Sequence, residues 1–242
     1  RRGDGQLSRE DLGTPLPEDD LCLRAARALQ SATGCALGAH IAIEKRLPAQ
    51  AGLGGGSSDA ASTLLALNWL WDLRLSRADL HRLAVSLGAD VPFFIGGRNA
   101  WVQGIGDELQ ALAPETLAVP SPFIIVKPEA GLETAAIFCH PALQRETQAA
   151  TIAGFVGEQA RKPFGFGRND LQPVAQLLCP DIAKAVQWLA VKGLAGRMTG
   201  SGSAVFAPMT QTIDVADAPA NWSIKVCKNL GLHPLVGWVR DE

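Results

Sequence analysis

The stretch Pro48-Ala-Gln-Ala-Gly52-Leu-Gly-Gly-Gly-Ser57-Ser58-Asp59-Ala60-Ala61 sets four glycines in five residues ahead of two serines and a run of helix formers. Glycine reaches positive φ and lets a backbone approach an anion closely. The N–H groups at the start of a following helix add the positive end of a dipole. Such a loop suits phosphate, and it asks for a strand before it and a helix after it. The strand is Ala39-His40-Ile41-Ala42-Ile43-Glu44-Lys45, where Ile41 and Ile43 share a face and Lys45 ends beside the loop. The helix is predicted from Asp59 to about Trp71, with Ser57 or Ser58 as N-cap, Asp59 in its first turn, and Leu64, Leu65, Leu67 and Trp71 as its buried stripe.

Two familiar phosphate loops are excluded by spacing. A Walker A loop ends in Gly-Lys-Ser/Thr, and no lysine precedes Ser57 or Ser58. The dinucleotide fingerprint Gly-x-Gly-x-x-Gly, counted from Gly52 and Gly54, meets Ser57 at its third place, and no long βαβ unit surrounds it. A flexible linker of this composition would be polar on both sides, whereas this one is held between a strand pattern and a helix pattern.

Three further segments extend the pattern: Leu67-Asn68, then Leu87-Gly-Ala-Asp90-Val-Pro-Phe93, then Met198-Thr-Gly-Ser-Gly-Ser-Ala-Val-Phe206. Together with the glycine loop, and in this order from about Asp19 to Leu235, the chain closely resembles the 4-diphosphocytidyl-2-C-methylerythritol kinases. These belong to the galactokinase, homoserine kinase, mevalonate kinase and phosphomevalonate kinase (GHMP) superfamily. The loop alone resembles the superfamily; Asp90 within Gly-Ala-Asp-Val-Pro and Lys45-Arg-Leu-Pro48 point to the particular kinases.

The resemblance implies an α+β, two-domain GHMP kinase fold. Its N-terminal domain is like the second domain of a ribosomal small-subunit protein, here truncated at its start, and its C-terminal domain is ferredoxin-like, with the active site in the cleft between them. It implies that ATP phosphorylates the free 2-hydroxyl of the methylerythritol part of a cytidine diphosphate conjugate, a step toward isoprenoid precursors by the non-mevalonate route. Asp90 is then the catalytic carboxylate, which orients or accepts the hydroxyl proton, in keeping with a reaction that needs positioning and charge stabilisation more than covalent help. From the residues alone the favoured reading of Asp90 is the cap of a short helix, since it follows Gly88 and precedes Pro92.

By the same implication ATP is held by Pro48, Ala49, Gln50, Ala51, Gly52, Leu53, Gly54, Gly55, Gly56, Ser57 and Ser58, by Lys45 and Asp20 around adenine, and by Gly200, Ser201 and Gly202 of a second glycine turn. That turn also reads as ordinary tight-turn chemistry. The family has asparagine at the Asp20 place, and an ionised aspartate accepts but does not donate a hydrogen bond. Ile105, Thr134 and Phe138 match positions near the substrate, although a phenylalanine placed on a helix with Ile137 and Leu132 is more often core than a stacking platform. Mg²⁺ is expected as a counter-charge to the phosphates, with Ser57 or Ser58 able to touch it and no acidic ligand assigned.

Members of the family begin with a further segment that carries a strand, a catalytic lysine in Pro-Ala-Lys-Leu-Asn and a Gly-Tyr-His motif. The present sequence opens at Arg1-Arg-Gly-Asp-Gly-Gln, which resembles the hairpin after that segment, and it contains no tyrosine. Either the chain is a fragment or the lysine is absent, and in both cases slow turnover, exposed sheet edge and poor solubility are expected of it.

With 47% hydrophobic and 19% charged residues, the 242-residue chain can bury a substantial core and is expected to divide into residues 1–113 and 114–242, the boundary lying in the proline-bearing stretch from Ala113 to Pro122. A net charge of -2 without a basic patch argues against nucleic acid. No apolar run reaches membrane-spanning length, and the residues given do not open on a signal-peptide pattern, although a missing front could hold one. The five cysteines, Cys22, Cys35, Cys139, Cys179 and Cys227, form no Cys-x-x-Cys pair, which fits free thiols in a reducing cytoplasm. His40, His81, His140 and His233 lack metal-ligand spacing, so no protein metal site is expected. Oligomeric state is not legible.

Helices are predicted over 21–32, from the capping box Ser76-Arg-Ala-Asp79 through Leu80, Leu83, Ala84 and Leu87, and around 134–140, 170–178 and 181–192. Strands are predicted over 99–102, 123–126, 204–207 and 223–227. Two rivals share these motifs: a sister GHMP kinase acting on another small alcohol, and a nucleotide-binding chain without catalysis.

Overall fold

The computed structural model describes residues 1–113, 116, 122–159 and 164–241. These fall into two compact units: residues 1–48, 54–113 and 231–242 in the first, and residues 49–53 and 114–230 in the second. Residues 49–53 group with the second unit and the C-terminal stretch with the first. Most of the proline-bearing stretch predicted to link the domains lies outside the described residues.

In the first unit, β1 (Leu7–Asp11) pairs in parallel with β2 (Ala39–Ile43), Leu7 opposite Ala39. Between them runs α1 (Leu21–Thr33), capped by Asp20, whose carboxylate accepts from Leu23 N, and ended by Gly34 in the left-handed region. Helix α2 (Gly55–Leu70) follows the glycine loop. Helix α3 (Arg77–Leu87) opens on the predicted capping box, with Ser76 and Asp79 each bonded to the other's backbone. A short α4 (Val91–Gly96), with Pro92 in its first turn, leads to the hairpin β3 (Ala100–Gln103) and β4 (Glu108–Ala111). Leu29, Leu64, Leu65, Leu80, Val91 and Ile95 are fully buried where these helices meet. Apolar positions recurring at three- and four-residue spacing place one stripe of each long helix there.

β1 was not foreseen. Its sequence Leu-Ser-Arg-Glu-Asp has no β-branched residue, and strand propensity is a weak guide where side chains organise the neighbourhood. Here Arg9 does so, donating to the carbonyls of Leu16 and Pro17 and pairing with Asp11 and Asp20.

The second unit is built on a four-stranded antiparallel sheet in the order β6 (Arg197–Met198), β7 (Val205–Pro208), β5 (Pro122–Lys127), β8 (Ser223–Lys228). Strand alternation sends Ile124 and Val126 to a buried face, against α7 (Gln172–Leu178) and α8 (Pro180–Val191), whose Val174, Ile182 and Leu189 are buried with Ile137 of α5 (Thr134–Phe138). Helix α6 (Ile152–Gln159) was not predicted. The described residues contain no helix long and apolar enough to cross a membrane.

Candidate active site

Helix α2 begins four residues earlier than expected. Gly54, at φ 66°, is its N-cap and offers no side-chain cap. Ser57 and Ser58 are therefore inside the helix rather than caps, and Asp59 lies beyond the first turn. The glycines can start a helix because neighbours settle on them: a Cβ at Gly54 would lie 2.9 Å from the Phe94 ring of α4, and Gly56 faces Leu21. The first N–H groups of a helix have no partner within it. Asp20 and Ser76 fill that need for α1 and α3, whereas in α2 the first internal bond is Ser58 N to Gly54 O. The N–H groups of Gly55, Gly56 and Ser57 are left facing outward, and the hydroxyls of Ser57 and Ser58 have no partner among the described residues. Lys45 lies over this end of the helix, ion-paired with Asp59. The Lys45–Asp59 pair carries no net charge, so it is the bare N–H groups and the positive dipole end of the helix that give this place the donor geometry of an anion site.

The preceding residues are braced within the second unit. Gln50 and Ala51 accept from Ser203 N at 3.3 Å and Ala204 N at 3.1 Å, and Gly52 O accepts from Thr199 Oγ1 at 3.0 Å. The two glycine segments predicted to work together are thus hydrogen-bonded to each other. Gly52 has to be glycine: it sits at φ 65°, and a Cβ there would fall 2.2 Å from Thr199 O. Ser201 Oγ of the turn is 2.7 Å from Thr134 Oγ1 at the start of α5, which ties one predicted substrate residue to predicted nucleotide residues.

Asp90 occupies the N-cap position of α4, but its backbone is helical and its side chain makes no capping bond. The capping role is therefore not carried out by the carboxylate, which is exposed. Phe94 of the same short helix packs on Gly54, so α4 joins Asp90 to the start of α2. Asp20 is committed to capping α1 and to Arg9. Of the three residues matched to substrate positions, Ile105 is 74% and Phe138 53% exposed. The core reading of Phe138 is overturned: Ile137 points into the unit, and its neighbour on α5 points out.

Sequence reasoning overlooked Lys127 and Asn169. Lys127 is buried at the end of β5, and its ammonium donates to the carbonyls of Pro128, Glu129 and Ala130 at 2.6, 3.4 and 3.0 Å. Burial holds its pKa below the usual lysine value. Ala130 O also accepts from Ser203 Oγ at 2.6 Å, so this cation anchors the strand end on which the second turn rests. A lysine ending an apolar strand gives no signal in sequence that it folds back on its own chain.

Residues 20–98 match the GHMP kinases N terminal domain and residues 148–227 the GHMP kinases C terminal domain. Over 98% of its length the chain is 61% identical to a protein of Acidovorax ebreus (strain TPSY) named 4-diphosphocytidyl-2-C-methyl-D-erythritol kinase, spanning 83% of that protein. It is 60% identical over its whole length to the like-named protein of Delftia acidovorans, again spanning 83%. A crystal structure of 4-(cytidine 5'-diphospho)-2C-methyl-D-erythritol kinase matches with a TM-score of 0.72 at 34% identity, over 87% of this chain and 75% of that one. A homoserine kinase from Cytophaga hutchinsonii shares the fold, with a TM-score of 0.69 at 18% identity over 94% of this chain and 83% of that one. Matching both GHMP kinase domain models and 61% identical over 98% of its length to a kinase so named, the chain belongs to the 4-diphosphocytidyl-2-C-methyl-D-erythritol kinase family of the GHMP kinases.

Proposed function

We propose that this chain transfers the γ-phosphoryl group of ATP to the 2-hydroxyl of 4-diphosphocytidyl-2-C-methyl-D-erythritol in the non-mevalonate route to isoprenoid precursors. Identity of 61% to a kinase so named supports the substrate. The observation that carries the chemistry is the start of α2, where three backbone N–H groups lack a cap; Lys45, expected near adenine, stands beside them paired with Asp59. Phosphate oxygens bind there, and the glycines let them come close.

Asp90 accepts or orients the proton of the attacking hydroxyl, and its exposed carboxylate is available for that task. The outward ring of Phe138 offers a face for the cytosine, beside Thr134, and in the first unit the exposed side chain of Ile105 is assigned to the substrate. Gly200, Ser201 and Gly202 carry the nucleotide assignment in the second turn, and Asp20 contributes near adenine by fixing the start of α1. The hydroxyls of Ser57 and Ser58 are hard oxygen donors suited to Mg²⁺, which when bound offsets the charge of the phosphates. The enzyme works in the cytoplasm, a reading supported by five cysteines without a disulfide.

The test is ADP release with Mg²⁺·ATP and the cytidine conjugate, with mevalonate and homoserine as controls, and ATP binding measured calorimetrically in parallel. Release that depends on the cytidine compound upholds the assignment. Release with a control alcohol assigns a sister kinase activity, and ATP binding without product from any alcohol assigns a nucleotide-binding chain without catalysis.

A further inference from the structure

The turn from Thr199 to Ser203 leaves the end of β6, the outer strand of its sheet, and an outer strand has a row of backbone groups with no strand to pair with. Two amide side chains take that row. Gln172 Oε1 accepts from Met198 N at 2.9 Å, and Asn169 Nδ2 donates to Met198 O at 3.1 Å and to Gly200 O at 2.8 Å. Asn169 Oδ1 accepts from Leu171 N at 3.0 Å, so all of its partners agree on which side of the amide is nitrogen.

A peptide group is planar and trans, so the carbonyl of residue 200 and the N–H of residue 201 point in opposite directions. Holding Gly200 O therefore aims Ser201 N–H away from Asn169. The adjoining groups of the turn are used internally: Thr199 N bonds Ala204 O, Gly202 N bonds Thr199 O and Ser203 N bonds Gln50 O. Ser201 N–H has no acceptor among the described residues. Gly200 itself lies at φ 52°, where glycine tolerates several backbone settings, so an outside bond is needed to select one.

We infer that Asn169 is a positioning residue for the nucleotide, setting the Gly200–Ser201 peptide so that Ser201 N–H is presented to an anionic group of ATP. This rests on the proposed nucleotide role of Gly200, Ser201 and Gly202.

Asn169→Ala removes both donated bonds, and Asn169→Asp replaces them with a carboxylate facing two carbonyl oxygens. Calorimetric ATP binding should weaken about tenfold in the alanine variant, at about 1 kcal/mol or a little more for such bonds. The aspartate variant should weaken at least as much at pH 8. Its affinity relative to wild type should rise as pH falls toward about 4, where an ordinary aspartate is about half protonated and the protonated carboxyl can donate one bond to Gly200 O. The alanine variant should show no recovery, and quoting each ratio at one pH removes the titration of ATP itself. Melting temperatures report any general loss of fold. Wild-type affinity in both variants overturns the inference, as does a loss that follows melting temperature alone with no recovery in Asn169→Asp. Absence of ATP binding by the wild-type chain is a different result, which defeats the nucleotide reading and the role of Asn169 with it.

Discussion

Gly52→Ala tests whether the two glycine segments form one braced unit. The new Cβ would lie 2.2 Å from Thr199 O and 2.8 Å from Gly202 N, against about 3.4 Å for the closest ordinary contact. Thr199 O therefore has to retreat by about 1.2 Å, carrying with it the turn that donates to Gln50, Ala51 and Gly52. The left-handed backbone costs about 1–2 kcal/mol once a Cβ is present. Loss of two or three hydrogen bonds adds about 1 kcal/mol each, so the second unit should lose about 3–5 kcal/mol in urea unfolding. ATP affinity should fall with it.

Gly55→Ala is the control, because Gly55 is already helical and a Cβ there meets Leu47 and the Lys45 ammonium only at 3.4–3.6 Å. That substitution should leave stability unchanged or raise it by up to about 1 kcal/mol. It should nevertheless weaken ATP binding, since the methyl group stands where phosphate is proposed to approach. A Gly52→Ala chain as stable as wild type would refute the bracing argument. A Gly55→Ala chain with unchanged ATP affinity would refute the anion site at α2.

Asp90→Asn should change stability by less than about 0.5 kcal/mol, since the exposed carboxylate makes no cap bond. ATP affinity should hold while ADP release falls about 100-fold or more; equal turnover by the variant removes Asp90 from the chemistry. Burial pushes the Cys22 thiol up to about 11, which leaves about one molecule in a thousand as thiolate at pH 8. Iodoacetamide at pH 8 should therefore label exposed Cys139 and spare Cys22, with reaction at Cys22 rising only as pH approaches 11. Peptide mass spectrometry reads both sites, and equal labelling at pH 8 contradicts the burial.

What was legible in the sequence was local. The capping box at Ser76 and Asp79 lies within four residues and works as its chemistry requires. The apolar spacing of Leu64, Leu65 and Leu67 found the buried stripe of α2, because helical geometry alone decides which side chains share a face. The family was legible because the glycine loop, Asp90 and the second turn stand in order along the chain.

The start of α2 was not legible, since Gly55 and Gly56 read as loop by propensity and become helix only when Phe94 and Leu21 close over that turn. Nor was the outward turn of Phe138, because a short helix with adjacent apolar residues does not say which one the sheet will cover. Asn169, Gln172 and Lys127 bond to backbone groups and carry no periodic signal. The sequence by itself thus determined the capping box of α3, the buried stripe of α2, the glycine segments and the kinase family. Only the tertiary structure decided that α2 opens without a cap and that residues 50–52 are tied to 199–204, since both depend on long-range contacts that exist once the chain has folded.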